Sequence, residues 1–289
     1  MDKVVIKNLE FKATEAPQIE VIELSELVRR NQNLLFAPHR TEFFHLFIFE
    51  DCHPLHIIDF KPTQIEPNSL LFLNKGIVHQ FDEKRNYQGW LIVFTDSFYC
   101  QSTEDLDYLN RNPLFNDIHD NPFLKVSGTI INRILKITAE INLKQTTISK
   151  PLLTRINQNL LHNILLLAEN EKNIQESSPV LKTKDLEYYL TFKSLLVLNL
   201  KEEKTVTFYA KQMHITERRL YQTTTTIAGK TPKEIIDQYL LLEAKRLLAQ
   251  NKKNIKEIAY ELGFKEPTNF IKYFKKQTSQ TPIEFKSSC

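Results

Sequence analysis

Glycine is scarce in this chain, five residues in 289, which leaves little from which to build a phosphate-cradling loop. Cysteine is scarcer still. Cys52, Cys100 and Cys289 share no metal-ligand spacing, and an odd count argues against a disulfide framework. No apolar run approaches the ~20 residues that cross a bilayer. The opening residues, with Asp2 and Lys3, lack the apolar core of a signal peptide. There is no convincing nucleophile paired with a base and no cluster of metal-binding residue types. These absences predict a cytoplasmic protein with no membrane segment, no cofactor, no bound metal and no catalytic centre. With 42% hydrophobic residues the chain still has material for two domains with cores of their own.

The modest net charge of +3 conceals an uneven division. Residues 181–289 hold 20 Lys and Arg against 12 Asp and Glu, whereas residues 1–180 hold 18 against 23. A basic C-terminal part beside an acidic N-terminal part is the footprint of a nucleic-acid binder with a separate partner domain. Phosphate contacts release counterions, so binding should weaken steeply with salt.

What the chain does have is a repeat. Residues 205–235 and 254–285 follow one plan about fifty positions apart. Each has a short helix with a central alanine (Ala210, Ala259), a tight turn, a second helix, and then Thr-Pro-x-Glu (Thr231, Pro232, Glu234; Thr281, Pro282, Glu284). In the second copy Ile255, Ile258, Ala259 and Leu262 form one apolar helix face. Gly263 follows, where a left-handed helix stop is cheapest. Pro267 then suits the first turn of a new helix, with Glu266 beside its positive end. In that helix Phe270, Ile271 and Phe274 face inward, and Asn269, Lys272, Tyr273 and Lys276 face the other way. A lone helix of this kind reads as a solvated surface. Duplication within a basic segment favours two recognition helices placed against DNA.

Residues 185–287 resemble the DNA-binding domain of the AraC/XylS family of bacterial transcription regulators. The resemblance rests on Ala244-Lys245-Arg246-Leu247-Leu248, on Ile255-x-x-Ile258-Ala259-x-x-Leu262-Gly263-Phe264, on Phe270-x-x-x-Phe274-Lys275-Lys276 and on Thr281-Pro282-x-Glu284-Phe285. It implies seven helices, with two helix-turn-helix subdomains joined by a long helix over about 232–249. Their recognition helices would enter successive major grooves, roughly 34 Å apart on double-stranded DNA. By the same resemblance, base contacts fall to Arg218, Tyr221 and Gln222 in the first recognition helix and to Thr268, Asn269 and Lys272 in the second. Arg or Lys can reach guanine O6/N7, and Asn or Gln can pair with adenine N6/N7. Arg219, Lys275 and Lys276 are read as phosphate contacts. The first copy departs from the pattern at Thr223-Thr224-Thr225-Thr226. Thr224 stands where the second copy has Phe274, which predicts a less firmly docked first recognition helix.

Residues 1–125 read as β-rich. Phe43 to Phe49, Leu55 to Phe60, Ser69 to Leu73 and Gln88 to Phe94 are separated by turn-prone Lys61-Pro62-Thr63, Glu66-Pro67-Asn68 and Asn74-Lys75-Gly76. The order Pro38-His39-Arg40-x-x-Phe43, Pro67-Asn68-Ser69-Leu70 and Lys75-Gly76-Ile77-Val78-His79-Gln80-Phe81 resembles the cupin-like sensor domain common in the same family. His39, His45 and His79 with Glu42 could supply metal ligands. The paired His-x-His with a trailing Glu, used by metal-dependent cupins, is absent. His39 and His45 are six apart, on one face of a strand, while His53 and His56 would lie on opposite faces. A small-effector pocket drawn from His39, Phe43, His45, Phe60, His79 and Trp90 is the favoured reading, without metal.

Two helical patterns follow. Ile130, Ile134, Ile137 and Ile141 recur after Val126, and Leu153, Ile156, Leu160, Ile164 and Leu167 recur with Leu161, Leu165 and Ala168 beside them. The second stripe either packs on its own barrel or forms a homodimer seam. The expected organisation is α+β. A cupin-like β-barrel or sandwich spans 1–125, a helical dimerisation segment 126–170 and a linker 171–184. An all-α domain of two helix-turn-helix subdomains spans 185–289. The expected function is a DNA-binding transcription regulator, an activator under control of a small-molecule effector, with RNA polymerase as a further partner. Two alternatives stand: an effector-free regulator whose N-terminal domain only dimerises or docks a protein, and a metal-dependent cupin enzyme with a DNA-binding tail.

Overall fold

A computed structural model describes residues 7–9, 19–83, 86–102, 105–106, 108–109, 112–115, 123–143, 147–175, 184–250 and 252–288. The chain divides into two compact units, one formed by residues 8–177 and the other centred on residues 178–289. In chain order, the β-rich part runs through β1 (Lys7–Leu9), β2 (Ile19–Glu23), α1 (Leu24–Leu35), β3 (His39–Thr41), β4 (Phe44–Phe49) and β5 (Leu55–Ile58). It continues through β6 (Lys61–Gln64), β7 (Ser69–Leu73), β8 (Val78–Phe81), β9 (Gly89–Phe94), α2 (Asp96–Tyr99) and β10 (Phe123–Lys125). Two helices, α3 (Gly128–Asn142) and α4 (Lys150–Gln175), complete the unit.

The strands make two five-stranded sheets, ordered β1-β3-β8-β5-β6 and β10-β7-β4-β9-β2. This is a cupin-like two-sheet fold. In the second sheet β4 pairs antiparallel with β7 and β9, in a register that sets His45 beside Leu73 and Val93. Its strands are buried along their whole length at β4 and β7. A sheet covered on both sides needs continuous apolar runs rather than alternation, and Phe44–Phe49 and Ser69–Leu73 supply them. Phe47, Phe49, Leu71, Leu73, Leu91 and Val93 pack inward with Ile58 and Phe81. Phe44, Leu46, Ile48, Leu70, Phe72, Ile92 and Phe94 face outward and are covered by Ile131, Ile134 and Ile141 of α3 and Leu161, Ile164 and Leu165 of α4.

That cover divides the apolar stripe of α4. Leu161, Ile164, Leu165 and Ala168 are buried in their own chain, whereas Leu153, Ile156, Leu160 and Leu167 are half-buried. Leu152 and Leu166 are 54% and 60% exposed. Three local expectations are revised. Lys61-Pro62-Thr63 is not a turn but lies in β6, an edge strand where a proline costs no ladder bond. Helix α1 interrupts the β-rich region. Helix α4 runs on to Gln175, so residues 171–175 of the expected linker are helical, and residues 176–183 lie outside the described residues.

The second unit is all helical among the described residues. Its helices are α5 (Lys184–Asn199), α6 (Val206–Gln212), α7 (Glu217–Ala228), α8 (Pro232–Ala249), α9 (Ile255–Glu261), α10 (Pro267–Thr278) and α11 (Pro282–Ser288). Helix α8 packs on α7 from one half of the repeat and on α9, α10 and α11 from the other. Its buried face, Ile235, Ile236, Leu240, Ala244, Leu247 and Leu248, explains the need for a long helix between the copies. No described helix is long and apolar enough to cross a membrane.

Candidate nucleic-acid interface

The two copies repeat their hydrogen bonds as well as their residues. In the first turn Met213 N–H donates to Tyr209 O at 3.0 Å, His214 N–H to Lys211 O at 3.1 Å and Ile215 N–H to Ala210 O at 3.0 Å. In the second, Leu262 N–H donates to Ile258 O at 2.9 Å, Gly263 N–H to Tyr260 O at 2.9 Å and Phe264 N–H to Ala259 O at 2.9 Å. Both turn residues are left-handed, His214 at φ 52° and Gly263 at φ 72°. Ala210 and Ala259 are buried beneath them. Helices α7 and α10 end on left-handed Gly229 and Ser279, whose N–H groups reach back to Thr225 O and Lys275 O. Thr231 with Glu234 and Thr281 with Glu284 then exchange reciprocal capping bonds of 2.6–3.2 Å. The capping bonds from backbone N–H and threonine hydroxyl hold both glutamate carboxyls below the usual carboxylate range.

These turns aim α7 and α10. Arg218, Tyr221 and Gln222 on α7 are exposed, and so are Thr268, Asn269 and Lys272 on α10. Arg218 and Tyr221 flank an open groove of about 470 Å³ whose other side is Thr231, Pro232 and Lys233. Lys275 and Lys276 are also exposed. Arg219, expected as a phosphate contact, is half-buried and already paired. Its guanidinium is 3.0 Å from the Asp185 carboxylate and lies over the Tyr188 ring at 5.4 Å. It ties α7 to α5. Tyr273 is also turned inward, donating from its hydroxyl to Asp237 O of α8 at 2.8 Å.

The threonine run of α7 is anchored by means the repeat pattern does not predict. Thr223 and Thr224 are fully buried. Thr223 Oγ1 donates to Asp185 Oδ1 at 2.7 Å, and Thr224 Oγ1 donates to Tyr221 O at 3.2 Å. Helix α5 packs on α7, and its Phe192 adds aromatic bulk by meeting Tyr209 of α6 edge-on at 5.4 Å. In the second copy Phe270 and Phe274 supply it from the recognition helix itself, 5.9 Å apart. The first recognition helix is thus anchored through different groups from the second.

The β-rich unit gathers four histidines. His39, His45, His56 and His79 are all buried, with the His79 ring 4.2 Å from His39, 5.0 Å from His45 and 5.3 Å from His56. His39 and His45 meet because β3 and β4 belong to opposite sheets, not because one strand carries both. His56 escaped the sequence reading because His53 precedes the strand, so the alternation that set the two apart starts only at Leu55. Tyr87 donates its hydroxyl hydrogen to Leu55 O at 3.1 Å. His56 Nδ1 must therefore donate to Tyr87 at 3.4 Å, which leaves His56 Nε2 to accept from His79 Nδ1 at 3.2 Å. His79 Nε2 then carries a lone pair that no donor among the described residues reaches. By the same logic Thr41 spends its hydrogen on Phe43 O, so His45 Nδ1 donates to Thr41 and presents a bare Nε2. Burial, followed by the neighbouring His39 charge, lowers His45 and His56 to about 3. His79 is also held well below its ordinary value by burial and then by the other three rings. His45, His56 and His79 are thus neutral imidazoles at physiological pH.

Of the expected pocket, His39, His45, His79 and Phe43 come together, Phe43 lying 5.0 Å from the His45 ring. Trp90 does not join them. It alternates onto the outer face of β9 and packs against the helical layer. Phe60 occupies a left-handed turn position at φ 67° after β5. Glu42 is exposed beside Arg40 at 3.7 Å. Among the described residues no group of three or more His, Cys, Asp or Glu is arranged to hold a metal ion.

Comparison with known proteins bears on this geometry. Residues 209–288 match the family described as a helix-turn-helix domain. The chain is 21% identical over 286 residues to the HTH-type transcriptional activator RhaR of Enterobacter sp. (strain 638), covering 98% of this chain and 96% of that protein. RhaR of Escherichia coli (strain K12) is 20% identical over 254 residues, 87% of each. Among solved structures, ToxT from Vibrio cholerae O395 bound to (E)-4-(8-methylnaphthalen-1-yl)but-3-enoic acid is similar at 15% identity with a TM-score of 0.42, over 94% of this chain and 98% of that one.

Proposed function

We propose that this chain, a DNA-binding transcription regulator with an AraC-type helix-turn-helix domain, reads a bipartite operator with α7 and α10. The observation that carries the reading is the duplicated turn geometry, which leaves Arg218, Tyr221 and Gln222 in one copy and Thr268, Asn269 and Lys272 in the other exposed on equivalent helices. Arg218 and Lys272 suit guanine, Gln222 and Asn269 suit adenine, and Thr268 suits a thymine methyl or a hydrogen bond. Lys275 and Lys276 would add phosphate contacts that position without specifying. Arg219 contributes by holding α7 on α5.

The β-rich unit is the regulatory part of this proposal. Its neutral imidazoles offer lone pairs at His45 and His79, a lining suited to hydroxyl or amine donors on a small effector. An effector changes transcription only through differential affinity for two arrangements of the protein. The half-buried and exposed leucines of α4 are the surface proposed for homodimer formation, and activation is the proposed output, as the description of the RhaR relatives as transcriptional activators suggests, with RNA polymerase as a further proposed partner. A second reading has support of its own. The barrel interior is filled with stacked rings, including His45 on Phe47 at 5.8 Å and Phe47 on Phe49 at 5.8 Å. Such packing favours a regulator whose first unit only dimerises or docks a partner.

Selection of bound duplexes from random DNA, with and without cell extract, tests both levels. The expected outcome is a site with two half-sites about one helical turn apart. Substituting Asn269→Ala or Lys272→Ala should cost about 1–3 kcal/mol and relax preference at one position. No enrichment of any sequence would refute the DNA-reading function. Enrichment unchanged by extract would favour the effector-free reading.

A further inference from the structure

The internal repeat acts as a control on the role of Gly263. His214 holds the equivalent turn position at φ 52°, with the same backbone hydrogen bonds on either side, and it is exposed. A side chain is therefore compatible with this turn. Yet a Cβ on Gly263 would stand 1.9 Å from Lys201 O and 2.6 Å from Lys204 Nζ. Glycine at 263 answers to a close approach, between the second copy's turn and the segment that leads into the first copy.

Other contacts gather at the same place. Lys204 Nζ donates to Lys201 O at 3.3 Å and to Gly263 O at 3.4 Å, and it lies 5.7 Å from the centre of the Phe264 ring. Glu261, just before the turn, accepts from Lys201 at 3.1 Å and from Lys253 at 2.5 Å. Helix α8 is the covalent link between the copies, and a single packed helix can still flex. The Lys201–Lys204 segment pressed on Gly263 is a second link between the copies.

We propose that this clasp, made by Gly263, Lys204 and Glu261, sets the spacing the protein accepts between its two DNA half-sites. The proposal rests on the bipartite reading of α7 and α10. One inserted base pair moves a half-site by about 3.4 Å and rotates it by roughly a tenth of a turn, which a rigid pair of helices cannot follow. The clasp thus selects operator spacing without touching a base.

The test uses the full chain and the duplex enriched by selection, in its original form and with one base pair inserted between the half-sites. Wild type should lose at least about ten-fold in affinity on insertion. Lys204→Met, which keeps the alkyl stem over Phe264, should lose about three-fold or less while binding the original site within about three-fold of wild type. Gly263→Ala should go the same way if it folds, and His214→Ala should retain the wild-type penalty. An unchanged penalty in Lys204→Met would overturn the clasp and leave the bipartite reading intact. Selection of a site with a single half, or of none, would overturn the bipartite reading and the clasp together.

Discussion

The two helix-turn-helix copies share a backbone and differ in what holds it. In the second, the recognition helix carries its own anchors, Phe270 and Phe274, both fully buried. In the first, the equivalent positions are Leu220 and Thr224, also fully buried, and α5 contributes Asp185, which bonds Thr223 and Arg219. Such a fold tolerates exchange of an apolar anchor for a polar one, provided that the buried hydroxyls find acceptors. One recognition helix therefore carries its own aromatic anchors, and the other bonds to a helix that precedes it.

The comparison can be broken most forcefully at the aromatic anchor. Phe274→Ala should destabilise the second unit by about 3–5 kcal/mol, whereas Thr224→Ala should cost about 1 kcal/mol. Denaturant unfolding compares the two, and similar losses would erase the distinction. Next in size is Asp185→Ala, expected to cost about 1.5–3 kcal/mol because it leaves Thr223 and Arg219 without their acceptor. Protection of α7 amides against hydrogen exchange should fall more than that of α10. Equal loss in both helices would show that α5 supports the whole unit and not the first copy.

Smaller effects sharpen the likeness between the copies. Thr231→Ala and Thr281→Ala each remove one capping bond and should cost about 1 kcal/mol, with matching falls in thermal midpoint. A clear inequality would mean that the duplicated cap has been put to different use. Smallest is His214→Gly, which relieves a left-handed non-glycine residue and should be neutral or stabilising by less than about 1 kcal/mol. A loss of more than that would reveal a contact made by the imidazole.

Much of the second unit could be read from residue order because its signals are local. Ala259, Pro267 and the Thr-Pro-x-Glu caps act within a few residues of themselves, and the structure puts each where its chemistry suggests. The same reading misjudged Tyr273. Helical spacing alone assigned Tyr273 outward, and Asp237 on α8 drew its hydroxyl inward. In the β-rich unit short strands gave weaker signals. Trp90 and His56 could be assigned to a face only once the starts of β9 and β5 were known.

The order of residues alone determined that two copies of one helical motif follow a strand-rich segment, since periodicity, turn glycines and caps act over short distances. Only the tertiary structure decided which imidazoles meet in the barrel. It alone also revealed that Asp185 bonds both Thr223 and Arg219 and that Gly263 is needed for an approaching backbone. Those outcomes depend on groups far apart in the chain, such as Lys201 and Gly263, whose encounter is set by how the elements pack.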